Sequence, residues 1–193
     1  MYGVTSHTTT TPLYHLRVVS RVSGPAFIHG ERVTLHPQQA TDSDLLQQLL
    51  NEPQVRHNIG FNEPLSEPAA EDLNARGADT HFVVCVDDDP VGTCMLHEDH
   101  HPWGFGVLGY SICPDHWGNG YATDAVDCLA QYAFQELRLN KLGADCYATN
   151  PASARVLEKV GFQQEGRRRD HAFVNGDYVD LLEYGLLADN WAP

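Results

Sequence analysis

The sequence predicts an α+β fold: a mixed, mostly antiparallel central sheet flanked by helices. Three observations point there. Strand-like runs come early, and HFVVCV (81–86) and VGTCMLH (91–97) are separated only by DDDP, which reads as a hairpin turn. One crossover helix lies between the strand-like runs at 105–112 and 142–149. The chain ends as strand, Asn175-Gly176, strand, and Asn-Gly is the strongest two-residue hairpin signal. A doubly wound sheet would instead alternate strands and helices throughout.

Residues 1–30 mix Thr, Ser and Val without a clear period and read as an N-terminal extension to a single domain over 31–193. RVTLHP (32–37) holds a short first strand. DSDLLQQLLN (42–51) has acids in its first turn and leucines at helical spacing. The proline-broken stretch 52–68 reads as a short helix and a loop, and AAEDLNARG (69–77) as a second helix stopped by glycine. After the hairpin, EDHHPWG (98–104) is a loop and FGVLGYSI (105–112) a strand. Residues 120–137 place Ala122, Val126, Leu129, Ala133 and Leu137 on one helical face. LGADCYAT (142–149) is a strand. PASARVLEKVG (151–161) is a helix opened by proline and closed by glycine.

The 193 residues suit one domain with a proper core. The sequence holds no run of eighteen apolar residues and no signal-peptide pattern, so a cytoplasmic protein without a membrane span is expected. A formal charge of −14, from 26 acids against 12 bases, repels nucleic acid and anionic lipid. Only Lys141 and Lys159 are lysines and aspartate outnumbers glutamate, a balance that resembles proteins of salt-loving organisms. The five cysteines are odd in number and none shows CxxC spacing, which disfavours a disulfide framework or a structural zinc site. The histidines and acids of HEDHH (97–101) have loop-like spacing with no adjacent cysteine, so no metal is expected.

The chemistry concentrates in HWGNGYATDA (116–125), where two glycines stand between a strand and a helix. Unpaired N–H groups at a helix start carry the positive end of its dipole and attract phosphate. Gly118 and Gly120 let the backbone approach a diphosphate with no Cβ in the way. A Walker loop needs G-K-[ST], whereas Tyr121-Ala122-Thr123 follows here, and a dinucleotide fingerprint needs a third glycine. GYSI (109–112) is not the GxSxG elbow of a hydrolase. A second junction follows at NPASARVLEKVGF (150–162), with Asn150 as N-cap, Pro151 at the first helical position and Ser153 one turn in.

WGNGYATDA followed some thirty residues later by NPASARVLEKVGF resembles the GNAT superfamily of acetyl-coenzyme A-dependent N-acetyltransferases. Together with the closing GFQQEGRRRDHAFVNGDYVDLLEYGLL it looks like the RimJ/RimL-like branch, whose members acetylate protein N-termini, especially those of ribosomal proteins. The resemblance spans about residues 30–191 and implies a GNAT fold. It implies that backbone amides of Gly118, Asn119, Gly120, Tyr121, Ala122 and Thr123 hold the pyrophosphate of acetyl-coenzyme A (acetyl-CoA), with Trp117 standing where Gln or Arg is usual. Ser111, Ile112 and Cys113 would pair with the pantetheine arm and Asn150 would hydrogen-bond it. Ser153 would be the general acid near the thioester sulfur, and Arg155 and Lys159 would meet the adenosine phosphates, although solvated surface charge explains that pair equally well.

The implied reaction is direct attack of an amine on the thioester in a ternary complex. Strand-edge N–H groups near Ile112 are the implied oxyanion donors. Many relatives carry Glu where Val107 stands, and valine takes no proton; His97, Glu98, His100 and His101 are substitutes by position only. An α-amine with pKa near ~7.8 is roughly a tenth neutral at pH 7, whereas a lysine amine costs more than ~4 kcal/mol to neutralise. The expected acceptor is therefore a protein N-terminal α-amine. A small-molecule amine, or a non-catalytic coenzyme A sensor, stands as the alternative. Expected partners are acetyl-CoA and the acceptor, without nucleic acid or membrane, and with room for a homodimer.

Overall fold

A computed structural model describes residues 24–75, 79–99 and 103–192. One eight-stranded sheet runs in the order β1-β2-β3-β4-β5-β6-β8-β7. Its strands are β1 (Ile28–His29), β2 (Thr34–Pro37), β3 (Asp79–Val86), β4 (Asp89–Asp99), β5 (Phe105–Ile112), β6 (Lys141–Tyr147), β7 (Gln163–Val174) and β8 (Asp177–Leu187). The helices are α1 (Ser43–Asn51), α2 (Pro53–Ile59), α3 (Glu67–Ala75), α4 (Tyr121–Gln131) and α5 (Pro151–Val160). Every neighbouring pair is antiparallel except β5 and β6. Two parallel neighbours need a crossover, and α4 supplies it. This is the mixed, mostly antiparallel α+β sheet expected from the sequence.

Several boundaries differ from the sequence reading. Ile28–His29 joins the sheet from within the stretch read as extension, because two residues are too few to show a period; residues 1–23 lie outside the described residues. The DDDP turn narrows to Asp87-Asp88, both left-handed (φ 52° and 67°), so Asp89 and Pro90 already belong to β4. A two-residue hairpin loop with both φ positive matches the strand twist. β4 then runs on to Asp99, into the stretch read as a loop. The predicted helix over 120–137 changes register at its end: Tyr132–Glu136 forms a π turn, closed by the Leu137 N–H on Tyr132 O.

The two faces of the sheet are covered by different helices. On one side Phe82, Val84 and Leu96 pack with Val126 and Leu129 of α4 and Leu157 of α5. On the other, Val83, Cys85 and Cys113 meet Leu45 and Leu49 of α1 and Val55 of α2. β3 is thus buried on both faces, which explains its unbroken apolar run. α5 is fixed at each end. Asn150 caps its start, and Gly161 (φ 106°) ends it while the Phe162 N–H bonds Leu157 O. Leu157 is fully buried, so Leu157→Ala would cost about 2–5 kcal/mol. The β7–β8 hairpin turns at Asn175-Gly176 (φ 53° and 97°) and leaves Phe173 and Tyr178 exposed.

Candidate active site

The site begins where the parallel pair comes apart. β5 and β6 are in register only over Phe105–Val107 and Lys141–Gly143. Beyond that point Leu108 to Ile112 pair with β4 alone and Ala144 to Tyr147 with β8 alone. The Cys113 N–H donates to Val91 O at 2.8 Å, which sets the alternation of the β4–β5 ladder. Ser111 and Cys113 therefore direct their backbone groups at β4, while Leu108, Tyr110 and Ile112 direct theirs into the gap. This corrects the expectation that Ser111 and Cys113 offer their backbone to a bound arm. Cys113 is buried away from the gap, and burial pushes its thiol up to about 11, so it is an inert core residue. The Ile112 carbonyl accepts from Trp117 Nε1 at 2.6 Å. The gap opens into a cavity of about 560 Å³ between β5, β6, α2, α4 and α5.

At one end of this cavity lies the glycine loop. Gly118 and Gly120 are both left-handed (φ 79° and 83°), which an L side chain would strain. Space is open on the Cβ side of Gly118. Gly120 is the N-cap of α4, and no side chain caps the helix. The N–H groups of Tyr121, Ala122 and Thr123 thus have no partner within the helix, and all three residues line the cavity. Asn119 does not line this cavity; its amide braces the loop by donating to His116 O (3.1 Å) and Trp117 O (3.2 Å). Asp124, in the first turn of α4, is engaged elsewhere: its carboxylate accepts the N–H groups of Glu31, Arg32 and Val33. Arg32 in turn donates from Nη1 to Asn119 O at 3.2 Å. Arg155 and Lys159, four apart on α5, line the same end, and Lys159 also borders an adjoining cavity with Arg32. An uncapped helix start, two left-handed glycines and nearby cations fit a diphosphate.

The middle of the cleft is spanned by one contact. Asn150 Oδ1 accepts the Ser153 N–H at 3.1 Å, leaving its amide nitrogen for a ligand. Ser153 Oγ lies 2.7 Å from Tyr110 Oη, with either hydroxyl able to donate, and Ser153 O lies 3.2 Å from the same tyrosine hydroxyl. Burial pushes the Tyr110 phenol up to about 12, partly offset by its bond to Ser153, so it remains a proton donor at neutral pH. Burial likewise raises Cys146, beside Ser153, to about 11.

The far end is formed by Gln54 and Asn58 of α2 and by Asp145 of β6. Asp145 is the one acidic residue among the described residues lining the cavity. Burial pushes its carboxyl up, and Glu183 opposite it on β8 adds to the shift, against the pull of Arg168 and His171. Val107 sits at the base of the splay, paired with His97 and Gly143. His97 is not among the lining residues, Glu98 pairs with Gly106 in the sheet, and His100 and His101 lie outside the described residues. Among the described residues no group of three or more His, Cys, Asp or Glu could hold a metal ion.

Of the residues expected from the sequence, the structure brings Ser111, Ile112, Gly118, Gly120, Tyr121, Ala122, Thr123, Asn150, Ser153, Arg155 and Lys159 to one cavity. It adds Tyr110 and Asp145 there, and Arg32 on the adjoining cavity. Tyr110 was hidden inside an ordinary strand pattern. Asp145 gave one signal, a charge breaking the apolar run LGADCY. Arg32 gave none, since it stands far from the loop in sequence.

A model of the GNAT acetyltransferase domain matches residues 32–163. The chain belongs to the GNAT acetyltransferase family. It is 29% identical to the N-acetyltransferase p20 of Bacillus licheniformis over 86% of this chain and 98% of that protein. It is 29% identical to a putative ribosomal N-acetyltransferase of Bacillus subtilis over 84% and 94% of the two chains. Among solved structures it resembles spermidine N-acetyltransferase from Vibrio cholerae in complex with coenzyme A and spermine, with TM-score 0.77 and 25% identity over 82% of this chain and 97% of that one. The GNAT acetyltransferase is thus an acyl-CoA-dependent N-acetyltransferase acting on amines. None of its described helices is long and apolar enough to cross a membrane.

Proposed function

We propose that this GNAT acetyltransferase transfers an acetyl group from acetyl-CoA to the α-amine of a protein or peptide N-terminus, as its RimJ/RimL-like motifs suggest. Acetyl-CoA supplies the activated acyl group. On this reading the N–H groups of Tyr121, Ala122 and Thr123 hold the diphosphate, and the cleft-facing backbone of Tyr110 and Ile112 seats the arm as an added strand. The Ile112 N–H, which faces the gap, is assigned to the reacting carbonyl oxygen, and such a donor contributes ~3 kcal/mol. Ser153 donates to the departing sulfur, and Asp145 receives the acceptor's ammonium and takes its proton. The buried, unpaired cysteines fit a reducing, cytoplasmic setting.

One observation carries the choice of acceptor: Asp145 is the single carboxylate on the described lining. A polycation with several ammonium groups calls for several carboxylates, whereas a peptide α-amine needs one. The low intrinsic pKa of an α-amine also suits a modest base. A small-molecule amine is the second reading, favoured by the likeness to a spermidine acetyltransferase. Thiol release from acetyl-CoA over an acceptor panel separates them. Peptides with a free N-terminus are expected to turn over and N-blocked peptides carrying lysine are not. Faster turnover on spermidine than on any peptide would overturn the assignment.

A further inference from the structure

The Tyr110–Ser153 contact joins the two sides of the cleft. Tyr110 lies on β5, whose free backbone faces the gap, and Ser153 lies in the first turn of α5. A serine hydroxyl has one hydrogen and two lone pairs, and by itself it rotates freely among acceptors. Here the rotor has neighbours on several sides. The Tyr110 hydroxyl has a single hydrogen and faces two oxygens, Ser153 Oγ at 2.7 Å and Ser153 O at 3.2 Å, both on the same residue. With that hydrogen on Oγ, the shorter contact, it occupies a lone pair of the serine; with it on Ser153 O, the serine would instead donate to Tyr110 Oη. The Cys146 thiol also interacts with the Ser153 hydroxyl, but a neutral thiol sulfur is a weak acceptor. In the first arrangement the hydrogen of Ser153 is left for the open side, which is the cavity.

We propose that Tyr110 is a positioning residue that turns the Ser153 hydroxyl hydrogen into the cleft, toward the place of the thioester sulfur. The proposal rests on the acetyl-CoA reading above and extends it to a residue outside the two motifs. No proton leaves Tyr110 in this arrangement. As the carbon–sulfur bond breaks, the sulfur keeps the electron pair. The Ser153 hydrogen bond to it becomes charge-assisted and shorter, and the proton the thiolate finally takes is balanced by the one the amine loses. Tyr110 also ties α5 to the strand that seats the arm, so it fixes how far along the arm the hydroxyl sits.

The test uses the full chain and two ligands that differ at one atom, coenzyme A and desulfo-coenzyme A, titrated calorimetrically. The wild-type protein is expected to prefer coenzyme A by about three- to tenfold, the range of one net hydrogen bond. Tyr110→Phe is expected to bring that ratio close to the value in Ser153→Ala. A Tyr110→Phe protein that keeps the wild-type ratio, or weakens both ligands equally, overturns the proposal. In turnover, Tyr110→Phe is expected to lower kcat about tenfold with KM for acetyl-CoA unchanged, and to add nothing in a Ser153→Ala background. A further tenfold loss in that background would mean that Tyr110 acts on its own and would also overturn it. Absence of turnover by the wild-type protein on every acceptor, with the binding ratios as expected, would remove the transferase reading and leave the positioning role standing.

Discussion

The two ends of the cleft are built from different materials. At the donor end most of the groups that face a ligand are backbone: the first N–H groups of α4 and the free edge of β5. Several side chains there work behind the surface, with Asn119 bracing the loop, Asp124 pinning the β1–β2 turn and Asn150 capping α5, while Arg155 and Lys159 add exposed charge. At the acceptor end the polar groups are side chains, Gln54, Asn58 and Asp145. Backbone recognition is fixed by fold and tolerates many sequences. Side-chain recognition changes with one substitution. One fold can therefore keep its donor while its acceptor drifts.

The sharpest way to break this comparison is at Asp145. Asp145→Asn keeps the shape and removes the charge. It is expected to lower kcat/KM for the amine about a hundredfold, the scale of a lost general base, while KM for acetyl-CoA stays within twofold. Steady-state kinetics with both substrates varied measure this, and equal damage to both constants would show that the ends are not separable. The next effect belongs to the other end. Gly120→Ala places a Cβ on a residue with φ 83°, which costs about 1–2 kcal/mol and disturbs the cradle rather than the acceptor pocket. KM for acetyl-CoA is expected to rise about tenfold with the ranking of acceptors unchanged. A reordered acceptor ranking would show that the loop reaches across the cleft.

The same division explains what could be read from the sequence. The donor end was legible because its demands are local: glycines where φ must be positive, proline and asparagine at a helix start, an apolar strand before them. Gly118, Gly120 and Asn150 announce themselves by residue type and spacing. The direction of the backbone on β5 was not legible, because it depends on which residues of β4 lie opposite; that is why Ser111 and Cys113 were expected in place of Tyr110. Asp145 and Arg32 escaped for the same reason. Each acts through a neighbour brought close only by the sheet or by a turn far away in sequence.

A smaller effect is expected at the cations. Arg155 and Lys159 are exposed, so their pull on phosphate is screened by salt. Removing both, as Arg155→Gln with Lys159→Gln, is expected to weaken coenzyme A binding about two- to fivefold in dilute buffer. The loss should shrink in molar potassium chloride. Calorimetric titration at two salt concentrations checks this, and a loss that does not depend on salt would mean packing rather than charge.

The smallest effect is one of stability, and it separates a side chain placed for function from one placed for the fold. The Asp145 carboxyl is held above its ordinary value, first by partial burial and then by Glu183. Between the ordinary value and the raised one the folded state binds more protons than the unfolded chain, so stability falls as pH rises through that window. Below it Asp145 is neutral in both states and costs nothing; above it the cost is constant. Asp145→Asn removes the cost. The variant should therefore gain Tm relative to the wild type on going from about pH 4 to about pH 7, and the two should converge in acid. Parallel melting curves across that range measure the difference. A variant that loses stability at neutral pH would mean that Asp145 is held by partners and serves the sheet. A gain would fit a carboxylate kept at some expense to the fold because the acceptor needs it.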